Sequence, residues 1–308
     1  MGNNLKTTKG ILLILISALM FGSYGIWSRL MGQDFGVFYQ GWTRALIIVV
    51  ILLPFLYFRK EIVKIDKSDW KWLAVYMTFT SLTQAPIFYA FNHMDIGSAT
   101  LLFFVTMLLT MYLVGFAFLG EKATKVKIVS FILALIGMYL VFSFSLAVFT
   151  LLAASMAILN GISSGGEVSF SKKLSGKYSA LYLTWLSWLI IIPTNGIASV
   201  LMGEIQHIPS FDTVWLYQLG YVIAGIIGFW AIIEGLKYVE ASIGGLLGLL
   251  EIVFSITFGI FIFKEVLTTK IIIGGLVIVV ASALPHIIKL LEGKTQLIPD
   301  SSHESPPF

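Results

Sequence analysis

Two stretches decide the fold: Asp95 to Lys122, DIGSATLLFFVTMLLTMYLVGFAFLGEK, and Glu240 to Glu265, EASIGGLLGLLEIVFSITFGIFIFKE. Each opens on an acid and small residues, stays apolar for roughly twenty positions, and ends at a glutamate. That length matches a hydrocarbon core about 30 Å thick at about 1.5 Å per helical residue. Neither stretch alternates polar and apolar residues as a barrel strand does. In lipid, every backbone amide of such a run must be satisfied within it, which makes the run a helix. The two stretches also repeat each other. Their opening acids are 145 positions apart and their closing glutamates, Glu121 and Glu265, 144. Ser28-Arg29-Leu30 and Ser171-Lys172-Lys173-Leu174 recur at an offset of 143.

Working outward, the chain reads as ten apolar runs: 11–31, 37–58, 70–92, 97–119, 126–144, 147–170, 179–202, 213–236, 241–263 and 270–291. Pro54 and Pro193 stand near the ends of the second and seventh. With 58% hydrophobic and 12% charged residues, a soluble surface is excluded. The expected class is an all-α integral membrane protein. Its ten transmembrane helices form two five-helix repeats, 11–144 and 147–291. An odd number of spans per repeat inverts the second half relative to the first, a plan shared by many transporters. Residues 1–10 read as a short polar N-terminus, and the first run is too long for a signal peptide. The polar tail 292–308, with Pro299, Pro306 and Pro307, lacks the apolar residues needed to order it.

Loop charge sets the direction. With the N-terminus inside, sixteen basic residues fall on the inner side: Lys6, Lys9, Arg59, Lys60, Lys64, Lys67, Lys71, Lys122, Lys125, Lys127, Lys172, Lys173, Lys177, Lys237, Lys289 and Lys294. The outer side holds three, Arg29, Lys264 and Lys270, and Arg44 lies within a span. The positive-inside rule places both termini in the cytoplasm of a cell-membrane protein. The net charge of +4 is thereby explained without nucleic acid. The chain has no cysteine and four histidines, two of them (His286, His303) at or beyond the last span. No Walker, dinucleotide or metal-ligand motif is present. No cofactor, metal site or ATP-driven step is expected.

At Gly120-Glu121-Lys122-Ala123-Thr124 and Lys264-Glu265-Val266-Leu267-Thr268 the chain resembles the drug/metabolite transporter superfamily, specifically its EamA-type members. The resemblance covers roughly residues 10–290. Arg44 matches an arginine common in the family's second helix. Leu250-Glu251-Ile252 keeps the glutamate of a Leu-Glu-Pro motif and lacks its proline. The resemblance implies ten helices in two inverted repeats and alternating access to a central cavity. It also implies a solute drawn from amino acids, metabolites, nucleotide sugars or drugs.

Ionisable groups inside a membrane need a reason, and Glu251 is the clearest case. It can carry a proton between conformations, meet a cationic solute, or fix two helices together. Arg44 can hold a carboxylate or phosphate, or snorkel to a helix end. The two can also pair. Gln84 with Pro86 and Tyr89, and Asn160 and Gln218, read either as pocket-lining groups or as interhelical glue. Tyr24, Trp27, Trp42 and Trp230 read as cavity walls, with the interfacial belt as the alternative for Trp27 and Trp42. Glu167 reads as an inner-gate partner of Lys172 or Lys173, and Glu121 and Glu265 as caps or gate pairs. Small residues four apart, at Gly161 and Gly165 and at Gly244 and Gly248, mark close helix contacts. The expected function is secondary transport of a small polar solute, with protons as a candidate coupling ion, by a monomer or homodimer. A membrane-embedded enzyme acting on a lipid substrate is the rival reading, and it lacks an interfacial cluster of acids or histidines. A channel lacks a filter, and a sensor lacks a signalling domain.

Overall fold

The computed structural model describes residues 2–32, 34–142 and 150–295, and all of their regular secondary structure is helical. The helices are α1 Gly2–Gly22, α2 Tyr24–Met31, α3 Val37–Phe58, α4 Trp70–Ser81, α5 Ala85–His93, α6 Ile96–Phe118, α7 Lys125–Phe142, α8 Leu151–Leu174, α9 Ala180–Leu201, α10 Thr213–Gly235, α11 Ala241–Gly248, α12 Leu250–Phe263 and α13 Thr269–Thr295. Taking α1 with α2 and α11 with α12, eight stretches are long and apolar enough to cross a membrane. Two further runs expected to span fall short of that standard. Residues 70–92 break into α4 and α5, and the 24-residue α8 carries Glu167, Lys172 and Lys173.

The boundaries also differ from the hydropathy reading. α1 begins at Gly2, inside the expected polar N-terminus, and α13 runs through Thr295, inside the expected tail. The rest of that tail, from 296, and the junction between the expected halves, 143–149, lie outside the described residues.

The helix breaks have local causes. Pro86 has no N–H to give to the Leu82 carbonyl, and its ring crowds that carbonyl, so the helix stops at Ser81 and restarts at Ala85. Between α1 and α2, the Ser23 hydroxyl donates to the Met20 carbonyl at 2.6 Å. The break between α11 and α12 falls at Leu249, next to Gly248 and without a proline.

Close approaches hold the bundle together. A Cβ on Gly22 of α1 would meet the Glu251 carbonyl at 2.8 Å, so the glycine lets α1 lie on the backbone of α12. A Cβ on Gly165 of α8 would meet the Met107 carbonyl of α6 at 2.5 Å. α3 packs on α9, α7 on α13, and α10 on α1 and α2. The outer faces are apolar: Val50, Phe55, Leu113, Ile136, Val200 and Leu276 are all exposed. Such a belt would be a liability in water and is the expected surface in lipid.

Candidate functional site

Arg44 is 2% exposed and lies midway through the bundle on α3. Its guanidinium carbon sits 3.7 Å from the Tyr221 ring centre and 4.9 Å from those of Tyr24 and Trp188. Three helices besides its own, α2, α9 and α10, thus contribute one ring each. Tyr24 and Tyr221 meet edge to face at 4.7 Å. Gly225 allows this convergence, since a Cβ there would stand 3.2 Å from Trp188 and 3.4 Å from the Tyr24 hydroxyl. The cage is rich in donors and short of acceptors. Arg44 Nε and Nη1, Trp188 Nε1 and the Tyr24 hydroxyl are all enclosed, with no hydrogen-bond partner among the described residues.

Two acids share the neighbourhood. Arg44, Glu251 and Glu167 all lie within electrostatic reach of the Tyr24 hydroxyl. Arg44 and Glu251 do not form an ion pair; Glu251, in the first turn of α12, has neither ion pair nor hydrogen bond among the described residues. It keeps part of its surface accessible, and Gly248 one turn earlier borders open space. Glu167 is 2% exposed and accepts from the Ser187 hydroxyl at 2.5 Å. The expected partners of Glu167, Lys172 or Lys173, turn elsewhere: Lys172 reaches Glu121 and Lys173 donates to the Phe118 carbonyl, because Glu167 points into the bundle more than a turn before the lysines leave it.

The other candidates separate into groups. Gln84 accepts from Asn195 Nδ2 at 3.1 Å, and this amide pair lies against the backbone of α3 at Gly41. Gln218 donates to the Gln40 carbonyl and to the Thr43 hydroxyl, both at 2.9 Å, tying α10 to α3. Asn160 is 1% exposed with an unpartnered Oδ1. Trp27 donates to Ser23 Oγ at 3.1 Å and covers Gly220. Tyr89 stacks on His93 at 4.0 Å near the end of α5, away from the cage. Trp230 is 37% exposed and borders a groove with Arg59 and Glu61, so it is not a wall of the central cluster.

Four glutamates follow helix ends and reach across to other helices. Glu61, after α3, accepts from Ser179, the N-cap of α9, at 2.6 Å. Glu204, after α9, accepts from the N–H groups of Phe38 and Tyr39 in the first turn of α3, at 3.1 and 2.6 Å. Glu121, after α6, accepts from Ala241 N–H and from Ser242 N–H and Oγ at the start of α11. Lys172 approaches it at 3.4 Å and Lys127 at 3.8 Å, and its side chain is 3% exposed. A carboxylate suits the N–H groups that the starts of α3 and α11 present to Glu204 and Glu121, whereas Glu61 bonds to the N-cap hydroxyl that itself caps α9. Burial raises the Glu121 pKa, but the bonds from Ser242 and Ala241 and the charge of Lys172 outweigh it and hold the carboxyl below its ordinary value. Glu265, after α12, differs. Its side chain is 52% exposed, and its recorded partner among the described residues is Arg29 at 2.5 Å. Nothing in the hydropathy pattern singled out Glu61 or Glu204, although each follows a residue at positive φ, Lys60 at 54° and Gly203 at 69°.

The comparisons with known proteins fit this arrangement. The model of the EamA-like transporter family matches residues 8–143 and again 151–285. The chain belongs to the EamA-like transporter family. An uncharacterized transporter of Archaeoglobus fulgidus is 25% identical over 270 residues, covering 86% of this chain and 92% of that protein. A solved crystal structure superposes with a TM-score of 0.75 over 92% of this chain and 99% of its own, at 14% identity, and so shares the fold. The protein is therefore a multi-pass membrane transporter. The two EamA matches begin 143 residues apart, and that offset relates the site residues in pairs. Gly22 answers to Gly165, and Glu61 to Glu204. Tyr24 answers to Glu167 and Arg44 to Ser187, so each half brings one side chain of its second helix against one of its first. At an offset of 144, Glu121 answers to Glu265.

Proposed function

We propose that this EamA-type protein is a secondary transporter that moves a small polar solute by alternating access. Ten spans form two inverted halves, 11–144 and 147–291, and the lysine-rich end faces the cytoplasm with both termini. The helix packing supports the inverted plan, because exchanging the halves maps the contacts onto one another. α6 packs on α8 as α12 packs on α1, while α3 with α9 and α7 with α13 map onto themselves. Proton coupling is assigned to Glu251, a carboxyl inside a span with no fixed partner.

One observation carries the reading. Three of the four reciprocal caps are made: Glu61 on α9, Glu204 on α3 and Glu121 on α11. The fourth would place Glu265 on the start of α6, at Gly97 and Ser98, the counterparts of Ala241 and Ser242. Here Asp95 accepts from the Ser98 N–H at 2.8 Å, and Glu265 turns to Arg29 at the surface. The Glu121 latch is thus made and the Glu265 latch is not. Because the two latches are built from equivalent residues, closing the second while releasing the first would switch the access between the two ends. Cavities border both: about 120 Å³ between Gly22, Gly25 and Glu265, and about 390 Å³ lined by Lys127 and Glu240 beside the made latch.

Cysteine pairs test this directly, since the chain has none of its own. Cross-linking Glu121→Cys with Ser242→Cys, or Glu265→Cys with Ser98→Cys, should lock opposite states in proteoliposomes. Each lock should abolish solute counterflow, and reduction should restore it. Efficient formation of both links in one molecule would refute the scheme.

A further inference from the structure

Deepening the transport reading above, on which this step rests, we propose that Arg44 and its ring cage bind the carboxylate of an organic monoanion, the head group of the transported solute. Arg44 lies 4.9 Å from the Tyr24 ring centre and forms no ion pair among the described residues. A buried guanidinium is normally paired, because an unpaired charge in an apolar interior is strongly disfavoured. Here four enclosed donor atoms on side chains in contact, Arg44 Nε and Nη1, Trp188 Nε1 and the Tyr24 hydroxyl, have no hydrogen-bond partner among the described residues. Buried donors are satisfied in nearly all folded proteins, so a cluster of orphans in one place calls for an acceptor that the chain does not supply.

The chemistry of the donors selects that acceptor. A planar carboxylate takes hydrogen bonds from a guanidinium fork, and a single positive charge balances a single negative one. A phosphate dianion on the single charge of Arg44 would leave net negative charge in the neighbourhood of Glu251 and Glu167. An ammonium group is excluded from the cage by Arg44 itself. Apolar groups border the cage: Phe21 and Phe229 pack on the rings of Tyr24 and Trp188, and Ile48 reaches Gly225. The body of the solute next to the carboxylate is therefore hydrocarbon or aromatic.

The test compares phenylacetate and butyrate with their neutral amides, phenylacetamide and butyramide, on the purified full-length protein in detergent. Ligand binding to the folded state raises the thermal unfolding midpoint in a saturable way. Both carboxylates should raise it and should change Trp fluorescence through Trp188, while the amides should do neither. Arg44→Gln should abolish the shift, and Arg44→Lys, which keeps the charge but loses the planar fork, should reduce it. Equal shifts by acid and amide, no shift by either carboxylate, an equal shift by inorganic phosphate, or a carboxylate shift that survives Arg44→Gln would overturn the proposal. If Arg44→Gln does not fold, the acid and amide comparison on the unaltered chain decides. Flux assays separate this inference from the transport reading. Carboxylate binding without flux would remove transport and leave the site, whereas flux of a neutral solute without carboxylate binding would do the reverse.

Discussion

Two side chains, Arg44 and Glu251, hold most of the chemistry, and both are unusual in having no ion-pair partner among the described residues. The sequence shows that they lie inside spans, because each interrupts an apolar run. It leaves open whether they meet. They do not, since Arg44 is enclosed by rings from three other helices while Glu251 sits where α12 starts afresh. Glu167 shows the limit of reading charge along a line. Lys172 and Lys173 are its nearest basic neighbours in sequence, yet it bonds to Ser187 from another helix. Glu251→Gln keeps the shape of the side chain and removes its proton. The variant should fold and bind solute as before, while solute-driven change of internal pH in proteoliposomes is lost. Unchanged proton movement in that variant would take the coupling role away from Glu251.

At the scale of helices, small residues decide which faces touch. The four-residue spacing of Gly161 and Gly165 marks a true interface, where both lie against α6. The same spacing at Gly244 and Gly248 does not, because Gly244 meets Leu236 while Gly248 borders open space. Spacing places two glycines on one face of a helix but does not choose what that face meets. Gly22 and Gly25 offer a controlled comparison within one span. Gly22→Ala would drive a Cβ to 2.8 Å from the Glu251 carbonyl, while a Cβ on Gly25 meets nothing within 4 Å. Gly22→Ala should therefore destabilise the protein by about 1–3 kcal/mol through forced separation of α1 from α12. Gly25→Ala should be close to neutral in thermal unfolding. Equal midpoints for the two variants would show that the α1–α12 contact is not tight.

For the whole molecule, the latched end depends on Glu121, which joins α6, α8 and α11. Its folded pKa lies below the ordinary carboxylate value, so its contribution to stability is present above that range and is lost as the pH falls through the lowered value. Glu121→Gln leaves Lys172 short of a counter-charge, while Lys127 keeps Glu240 at 2.6 Å, and should cost about 1–3 kcal/mol at neutral pH. The gap in unfolding midpoint between the variant and the parent should close on acidification. A gap independent of pH would mean that the charge is not what holds this end. The all-helical membrane class, the order of eight of the ten expected apolar segments and the twofold family pattern were legible in the sequence by itself. Burial of each run in lipid is a local, additive property of its own residues, and a duplicated pattern survives as matching offsets. Tertiary structure alone decided which polar groups found partners. That depends on how each helix is turned about its axis against several others. It also decided that Glu121 bonds to the start of α11 while its counterpart Glu265 turns to Arg29, a difference that the matching offsets in the sequence do not predict.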